Sequence, residues 1–222
     1  MDAKALAVGP RKRVEECTKM LTALACMQLV EQGCLELDNG LFLESLYLWA
    51  IDEFSGRFED IQTPLLFQPG EGWEYGVSLD WAGLAVERVT GFKLNEYLKQ
   101  LIFDPLGLEN MSMVPDAEMR GELAHMHSRE IDGKLKPRDH LLRAPLVLDP
   151  NDEDEAGKLF NSGGAGMFAK PQEYCRILAV LLNDGTCPRT GAQILREETV
   201  QEMFRNQNTS VSRLWAPEHA GF

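Results

Sequence analysis

The chain has 222 residues, of which 44% are hydrophobic, and a formal net charge of −13 at pH 7. This length and composition predict one globular domain over residues 1–222 with a substantial buried core. A nucleic-acid site needs clustered lysine and arginine, so the acidic balance excludes nucleic acid as an expected partner and disfavours an anionic membrane.

The cysteines indicate a reducing compartment. Their number is five, which is odd, and they include no close Cys-x-x-Cys pair. Cys17, Cys26 and Cys34 fall in one predicted helix and its exit, where free thiols pack as small apolar groups. We therefore expect reduced thiols and a cytoplasmic location. The N-terminal stretch has no long apolar run that would predict a secretory signal or a membrane span.

Helical spacing of apolar residues predicts most of the secondary structure. A first helix is expected from Val14 to about Gly33, and one or two more within residues 41–62. A loop rich in glycine and proline follows over 67–76. Helical patterns then cover residues 78–89 and 94–103.

The second half of the chain predicts shorter elements. Residues 111–138 indicate short elements and turns, and the acidic segment 149–157 predicts a solvated loop. Gly163–Gly166 predict a turn, followed by an amphipathic helix from near Pro171 to Gly185 and another helix over 195–207. Long strands with two-residue alternation are scarce, so helix is expected to dominate.

One local pattern suggests catalysis. In a Ser-x-x-Lys unit on a buried helix, both side chains share one helix face, so the lysine amine can take the hydroxyl proton. Here Lys19 is present, but Glu16 stands at the serine position. Taken alone, the two residues predict an ordinary surface ion pair.

Longer stretches of the sequence favour the catalytic interpretation of Lys19 over the ion pair. The stretch "CTKMLTALACMQLVEQG" (17–33) resembles the serine β-lactamase-like superfamily, which covers class C β-lactamases, penicillin-binding-protein-like esterases and fungal lovastatin-type acyltransferases. Residues 58–91, with "WEYG", and residues 161–185, with "GGAG", resemble the same family. The resemblance implies an α+β fold of the β-lactamase/transpeptidase type.

The resemblance also implies a chemistry: acyl transfer through a serine ester, with Lys19 as base and Tyr75 as its partner, on a small-molecule acyl ester or thioester. It implies no cofactor and no metal, and a role in fungal secondary metabolism. A metal site formed by His125 and His127 would lack further ligands, so none is expected there. The implied substrate-binding residues are Ser78, Trp81, His127, Gly163 and Gly164.

The chain departs from the family pattern in several places. Glu16 occupies the nucleophile position, and Lys19 and Tyr75 lie much closer in sequence than is usual, which predicts an internal deletion between about 38 and 58. The strands before the catalytic helix and the third motif after it are not recognised, so the domain is expected to be incomplete at both ends. We therefore expect mostly the helical part of the fold with an incomplete antiparallel sheet.

Two kinds of function remain open. The first is an acyltransferase or ester hydrolase by ancestry, impaired by Glu16. The second is a non-catalytic truncated pseudoenzyme, or a binding or scaffold protein. Without its full sheet the catalytic helix is expected to expose an apolar face, which would favour a protein partner or self-association.

Overall fold

The computed structural model describes residues 12–13, 15–37, 58–62, 76–138, 146, 149 and 152–206. Tyr75 and residues 38–57, where an internal deletion and part of a helical segment were predicted, lie outside these ranges. Within the predicted 41–62 segment, the described part is a 3-10 turn over Phe58–Ile61.

Helix α1 spans Glu15–Glu31 and matches the first predicted helix. It ends at Gly33, whose φ of 71° is a left-handed backbone conformation that glycine adopts without steric cost. The Gly33 N–H donates to the carbonyl of Val30 at 3.0 Å, and the Cys34 N–H donates to that of Leu29 at 2.8 Å. The predicted glycine stop is therefore confirmed.

The next helices also follow the predicted pattern. Helix α2 spans Ser78–Thr90 and ends at Gly91. A nearly continuous helical segment then runs through α3 (Leu94–Leu98), a π-helical turn (Lys99–Phe103) and α4 (Asp104–Leu106). Its apolar residues are buried, among them Leu98, Ile102 and Phe103.

The described strands form two small antiparallel sheets. In the first, β5 (Phe168–Ala169) lies between β1 (Lys12–Arg13) and β2 (Met111–Ser112). The second is a hairpin of β3 (Met126–Arg129) and β4 (Leu135–Arg138). A short helix, α5 (Ala117–Gly121), precedes the hairpin. Among the described residues the largest sheet has three strands, as expected for an incomplete sheet.

One prediction for the second half is wrong. The acidic segment contains helix α6, Glu153–Lys158, where a solvated loop was expected. Its first turn is capped by Asp152, whose Oδ1 accepts from the Glu155 N–H at 3.1 Å. Acidic residues near a helix N-terminus also interact favourably with the helix dipole. Helices α7 (Pro171–Leu181) and α8 (Glu197–Phe204) lie where helices were predicted.

Helix α1 lies in the main core, packed against α2 and α3. Leu21, Leu24 and Leu29 on this helix are at most 1% exposed, and each such burial stabilises the fold by about 1.5–3 kcal/mol. Every side chain from Cys17 to Glu31 is buried or half-buried. The expectation that this helix exposes an apolar face is therefore wrong for these residues.

Candidate active site

The candidate site is built around a glycine turn, Ser162–Gly166, that lies against α1 and α2. A Cβ atom on Gly163 would collide with the carbonyl oxygen of Leu79 on α2, and one on Gly164 would lie 2.8 Å from Oδ2 of Asp80. The close approach of the helix backbone therefore requires glycine at position 163, and at position 164 a side chain would displace the Asp80 carboxylate. The two glycines predicted to bind substrate are thus positions where the turn packs tightly on α2.

Helix α1 holds this turn through three successive polar contacts. Thr18 Oγ1 accepts from the Met167 N–H at 3.1 Å, and Thr22 Oγ1 donates to the Gly163 carbonyl at 2.8 Å. Between these two buried threonines, Lys19 Nζ donates to the Gly164 carbonyl at 3.2 Å. The predicted base is therefore attached to the turn that carries the predicted substrate-binding glycines.

Helix α2 holds the other side of the turn through Asp80. Its Oδ1 accepts from Ser162 Oγ at 2.6 Å and from the Gly164 N–H at 3.3 Å. Ser162 Oγ in turn accepts from the Ala165 N–H at 3.0 Å. With only 5% of its surface exposed, Asp80 is almost fully buried. The carboxylate therefore links the helix to the first residue and to the middle of the turn.

The electrostatics of Asp80 reflect this burial. Desolvation raises the pKa of its carboxyl group above the ordinary range, because burial penalises the charged form. The hydrogen bonds from Ser162 and Gly164 and the positive charge of Lys19 lower the pKa, but they do not cancel the effect of burial. Asp80 and Lys19 are thus electrostatically coupled across the turn.

Asp80 was not among the residues selected from the sequence. An acidic residue in the first turn of a predicted helix is expected simply to complement the helix dipole. Its partners lie in a turn more than 80 residues further along the chain. A hint was present in the blocks that resemble the family, since they contain both "SLDW" and "SGGAG".

The other predicted catalytic residues are only partly described. The backbone of Glu16 lies in the first turn of α1, three residues before Lys19, and its side chain lies outside the described part of the structure. Tyr75 also lies outside it. Ser78 begins α2, two residues before Asp80, and is half-buried. The structure therefore brings together Lys19, the two glycines and the helix that begins at Ser78.

Two predicted binding residues lie in other surroundings. Trp81 packs edge-on against Phe58, with ring centroids 6.0 Å apart and planes at 69°. Its buried Nε1 has no hydrogen-bond partner within the part of the chain that the structure describes. His127 is exposed on β3, where it pairs with Pro137. Its role in substrate binding stays a prediction.

Cys17, which follows Glu16, is the nearest thiol in sequence to the nucleophile position. Burial raises the pKa of the Tyr174 hydroxyl on α7, and the nearby Cys17 side chain adds to this effect. The thiol lies near Tyr174 on α7, whereas the Lys19 amine contacts the glycine turn. This arrangement disfavours Cys17 as a substitute for the missing serine.

A cavity of about 500 Å³ lies toward the other end of α2. Its walls include the apolar side chains of Phe58, Leu84 and Phe160 and the charged side chains of Glu87 and Lys93. Neither Lys19 nor the glycine turn lines it. The cavity is therefore not the site at which the predicted acyl chemistry would occur.

The described residues also bear on metal and membrane sites. They contain no group of three or more His, Cys, Asp or Glu side chains arranged to hold a metal ion. No described helix is long and apolar enough to cross a membrane.

Comparison with known protein sequences identifies a family. Residues 52–222 match the family described as Beta-lactamase. The lovastatin esterase of Penicillium rubens is 36% identical over 143 residues, which cover 64% of this chain and 32% of that protein. The ML-236A carboxylate methylbutanoyltransferase of Penicillium citrinum is 30% identical over 250 residues, which cover 87% of this chain and 55% of the relative.

Solved structures agree with this result. A variant of the simvastatin synthase of Aspergillus terreus superposes with a TM-score of 0.71 and 27% identity, covering 94% of this chain and 58% of that one. A penicillin-binding protein of Bacillus halodurans has a TM-score of 0.62 at 19% identity, covering 89% of this chain and 64% of that one, and supports the fold alone. The present chain thus spans about a third of the lovastatin esterase and somewhat over half of the synthase. The chain belongs to the Beta-lactamase family and has the β-lactamase/transpeptidase fold.

Proposed function

We propose that this chain is an acyltransferase or ester hydrolase of the Beta-lactamase family whose acyl site is impaired by Glu16. The observation that carries the proposal is the contact of Lys19 Nζ with the Gly164 carbonyl. It joins the predicted base to the turn predicted to bind substrate. Small-molecule esters or thioesters are the proposed substrates, because the relatives carry the names of an esterase and a methylbutanoyltransferase.

The proposed mechanism assigns a proton acceptor to Lys19 and an acid or base partner to Tyr75. In a chain with serine at position 16, the lysine amine would take the hydroxyl proton while the oxygen attacks the acyl carbon and the thiolate or alkoxide departs. Spacing of three residues on α1 gives positions 16 and 19 a shared helix face. Half-burial of Lys19 beside the turn supports this role.

Glu16 changes the expected outcome. A carboxylate can attack an activated acyl group, but it would form a mixed anhydride, and water would hydrolyse that anhydride rapidly to the free acid and the original carboxylate. The net reaction would be slow hydrolysis without acyl transfer. We therefore propose little acyl-enzyme chemistry for the chain as it stands.

The competing proposal is a non-catalytic relative that binds a ligand or a protein. Its main support is Glu16 itself. A second support is the alignment with the Penicillium citrinum enzyme, which runs over 250 residues, more than the 222 of this chain. That enzyme therefore has residues inside the aligned span that are missing here, as an internal deletion between about 38 and 58 would require.

The cytoplasmic location stays a proposal. All five cysteines are free thiols in the structure, with Cys34 and Cys175 exposed and Cys187 buried. Free thiols persist in a reducing compartment, which supports this location.

A turnover assay separates the two proposals. Release of free thiol from a methylbutanoyl thioester would be followed for the chain and for its Glu16→Ser, Glu16→Ala and Lys19→Ala variants. Faster release by Glu16→Ser than by Glu16→Ala supports a surviving acyl site. Equal release by all four proteins would leave the non-catalytic proposal standing. The Glu16→Ala protein also measures the background release of thiol that results from thioester exchange with exposed cysteines.

A further inference from the structure

We propose that Asp80 is a positioning residue for Lys19, acting through the backbone of Gly164. The inference deepens the proposed function and rests on it for its catalytic meaning, because the Lys19 amine matters as a base only if the acyl site operates. The structural part of the proposal, that Asp80 fixes the position of the Lys19 amine, can be tested without measuring enzymatic activity.

The first step is the double attachment of Gly164. Its N–H donates to Asp80 Oδ1 at 3.3 Å and its carbonyl accepts from Lys19 Nζ at 3.2 Å. The two side chains come from different helices, α2 and α1. A shift of the glycine would therefore alter both contacts, so the carboxylate helps to fix the oxygen to which the lysine donates.

The second step is that Asp80 braces the whole turn. The same Oδ1 accepts from Ser162 Oγ at 2.6 Å, and Ser162 Oγ accepts from the Ala165 N–H at 3.0 Å. Glycine residues offer no side chains of their own to hold a turn, and their backbone has more freedom than that of any other residue. Asp80 and Ser162 therefore supply the polar contacts that keep the turn against α2.

The third step is the cost of burying the group. A carboxylate that is 5% exposed loses most of its hydration, and this loss is offset only by good hydrogen bonds and nearby charge. An apolar residue at position 80 would avoid that cost. The hydrogen bonds of Asp80 hold the turn whose Gly164 carbonyl accepts from Lys19. Positioning this carbonyl gives a reason for burying a carboxylate, whereas packing alone gives none.

The test uses variants that separate geometry from charge. Both contacts run to one atom, Oδ1, so Asp80→Asn retains an acceptor oxygen for Ser162 and Gly164 while it removes the charge. Asp80→Ala removes the acceptor. Glu87→Gln and Glu87→Ala are the matched controls, since Glu87 lies on the same helix and its Oε1 accepts from the Leu94 N–H at 2.9 Å and from Asn161 Nδ2 at 3.4 Å. Asn161 precedes the turn and contacts Glu87 through its side chain, so neither Asp80 contact to the turn is removed in these variants.

The first measurement is the position of the lysine amine. Lysines would be dimethylated with ¹³C-formaldehyde, and the Lys19 NMR signal would be assigned by its loss in Lys19→Arg. A dimethylated ammonium retains one N–H and can still donate to Gly164. We expect the Lys19 signal to shift in Asp80→Ala and to stay near its original position in Asp80→Asn and both Glu87 variants. If Asp80→Ala does not fold, Ser162→Ala, which removes the shorter Asp80 contact, is expected to shift the signal.

The second measurement is acylation of the Glu16→Ser protein. Because a misplacement of about 1 Å can cost on the order of a hundredfold, adding Asp80→Ala is expected to slow acylation at least about tenfold. The Glu16→Ser protein with Asp80→Asn instead of Asp80→Ala should acylate within about threefold of the parent rate. If Asp80 supported Lys19 through its negative charge, the uncharged asparagine would not rescue the rate. Both Glu87 controls should acylate like the parent.

The outcomes are distinguishable from failure of the proposed function. An unchanged Lys19 signal in Asp80→Ala and Ser162→Ala would overturn the positioning role. So would an Asp80→Asn protein that behaves like Asp80→Ala in both measurements. If Glu16→Ser takes no acyl group at all, the proposed function fails, and the NMR signal alone decides whether Asp80 positions Lys19.

Discussion

Lys19 and Asp80 hold the same glycine from two different helices. The lysine amine donates to the Gly164 carbonyl at 3.2 Å, and the aspartate carboxylate accepts from the Gly164 N–H at 3.3 Å. The glycine turn therefore connects the helix that carries the predicted base to the helix that follows Tyr75 in the chain. Disturbing either side chain, or the glycines between them, is expected to disturb the site.

The Lys19 amine should be needed as a proton acceptor. In a Glu16→Ser background, Lys19→Arg keeps the positive charge and the hydrogen-bond donors, but arginine does not give up its proton in proteins. General-base catalysis typically contributes on the order of 10²–10⁴-fold. The arginine variant is therefore expected to acylate at least about a hundredfold more slowly than its lysine parent in a mass-spectrometric time course. Equal rates would show that Lys19 does not act as the base.

Gly163 should be intolerant of a side chain. Gly163→Ala places a methyl group against the Leu79 carbonyl and 3.2 Å from Thr22 Oγ1. Such overpacking typically costs about 1–3 kcal/mol, so the free energy of unfolding in urea should fall by about that amount.

The matched control is Gly121→Ala, where nothing lies within 4 Å of the added Cβ. Gly121 is the last residue of α5, and its φ is not positive, so alanine fits its backbone without strain and typically stabilises by about 0.4–1 kcal/mol. The control protein should thus be as stable as the parent or slightly more stable. A Gly163→Ala protein as stable as the control would contradict the packing of the turn against α2.

The stability of the protein should depend on the titration of Asp80. Because burial raises the pKa of this carboxyl group in the folded state, the folded protein binds more protons than the unfolded one in the interval above the ordinary aspartate pKa of about 3.9. The contribution of Asp80 to stability is therefore fully present below that value and is lost as pH rises through the raised pKa.

Asp80→Asn isolates this contribution, because the amide does not titrate. The unfolding free energy would be measured in urea for both proteins from about pH 4 upward. The value for Asp80→Asn minus the value for the parent should increase as the pH rises. Other titrating groups cancel in the difference between the two proteins. A difference that stays constant with pH, or moves in favour of the parent, would contradict the raised pKa.

The ring contact between Phe58 and Trp81 should stabilise the small apolar cluster around Ile61 and Val77. An edge-to-face pair is worth about 0.5–1.5 kcal/mol beyond its buried area. Phe58→Leu keeps most of the apolar volume and loses the ring contacts with both Trp81 and Phe160, so it should lower the unfolding free energy by at least that order. The unfolding midpoint would be followed by circular dichroism, because Trp81 is one of four tryptophans and the protein's fluorescence does not single it out. An unchanged midpoint would count against the contact.

The sequence predicted the helices well because their signals are local. The apolar periodicity of α1, the glycine that ends it and the proline that begins α7 all act within a few residues. The acidic composition of the segment predicts a loop, but Asp152 caps a helix there, and α6 forms. Strands of two residues, such as β5, are too short to show alternation.

The candidate site was predictable only in part. Lys19, Gly163 and Gly164 were selected from motifs, and the structure joins them. Asp80 was missed because its role depends on a contact with Gly164, a residue 84 positions away. Periodicity and spacing cannot predict such a pairing, which arises when α1, α2 and the turn pack together.

The central claim is that the acyl site around Lys19 survives and is disarmed by Glu16. The most direct test is the intact mass of the Glu16→Ser protein after incubation with a methylbutanoyl thioester, followed by peptide mapping, with Glu16→Ala in parallel to identify adducts on cysteines. We predict one additional acyl group, located on the serine introduced at position 16 and absent from the Glu16→Ala protein. Identical adducts on both proteins, or none on either, would contradict the claim.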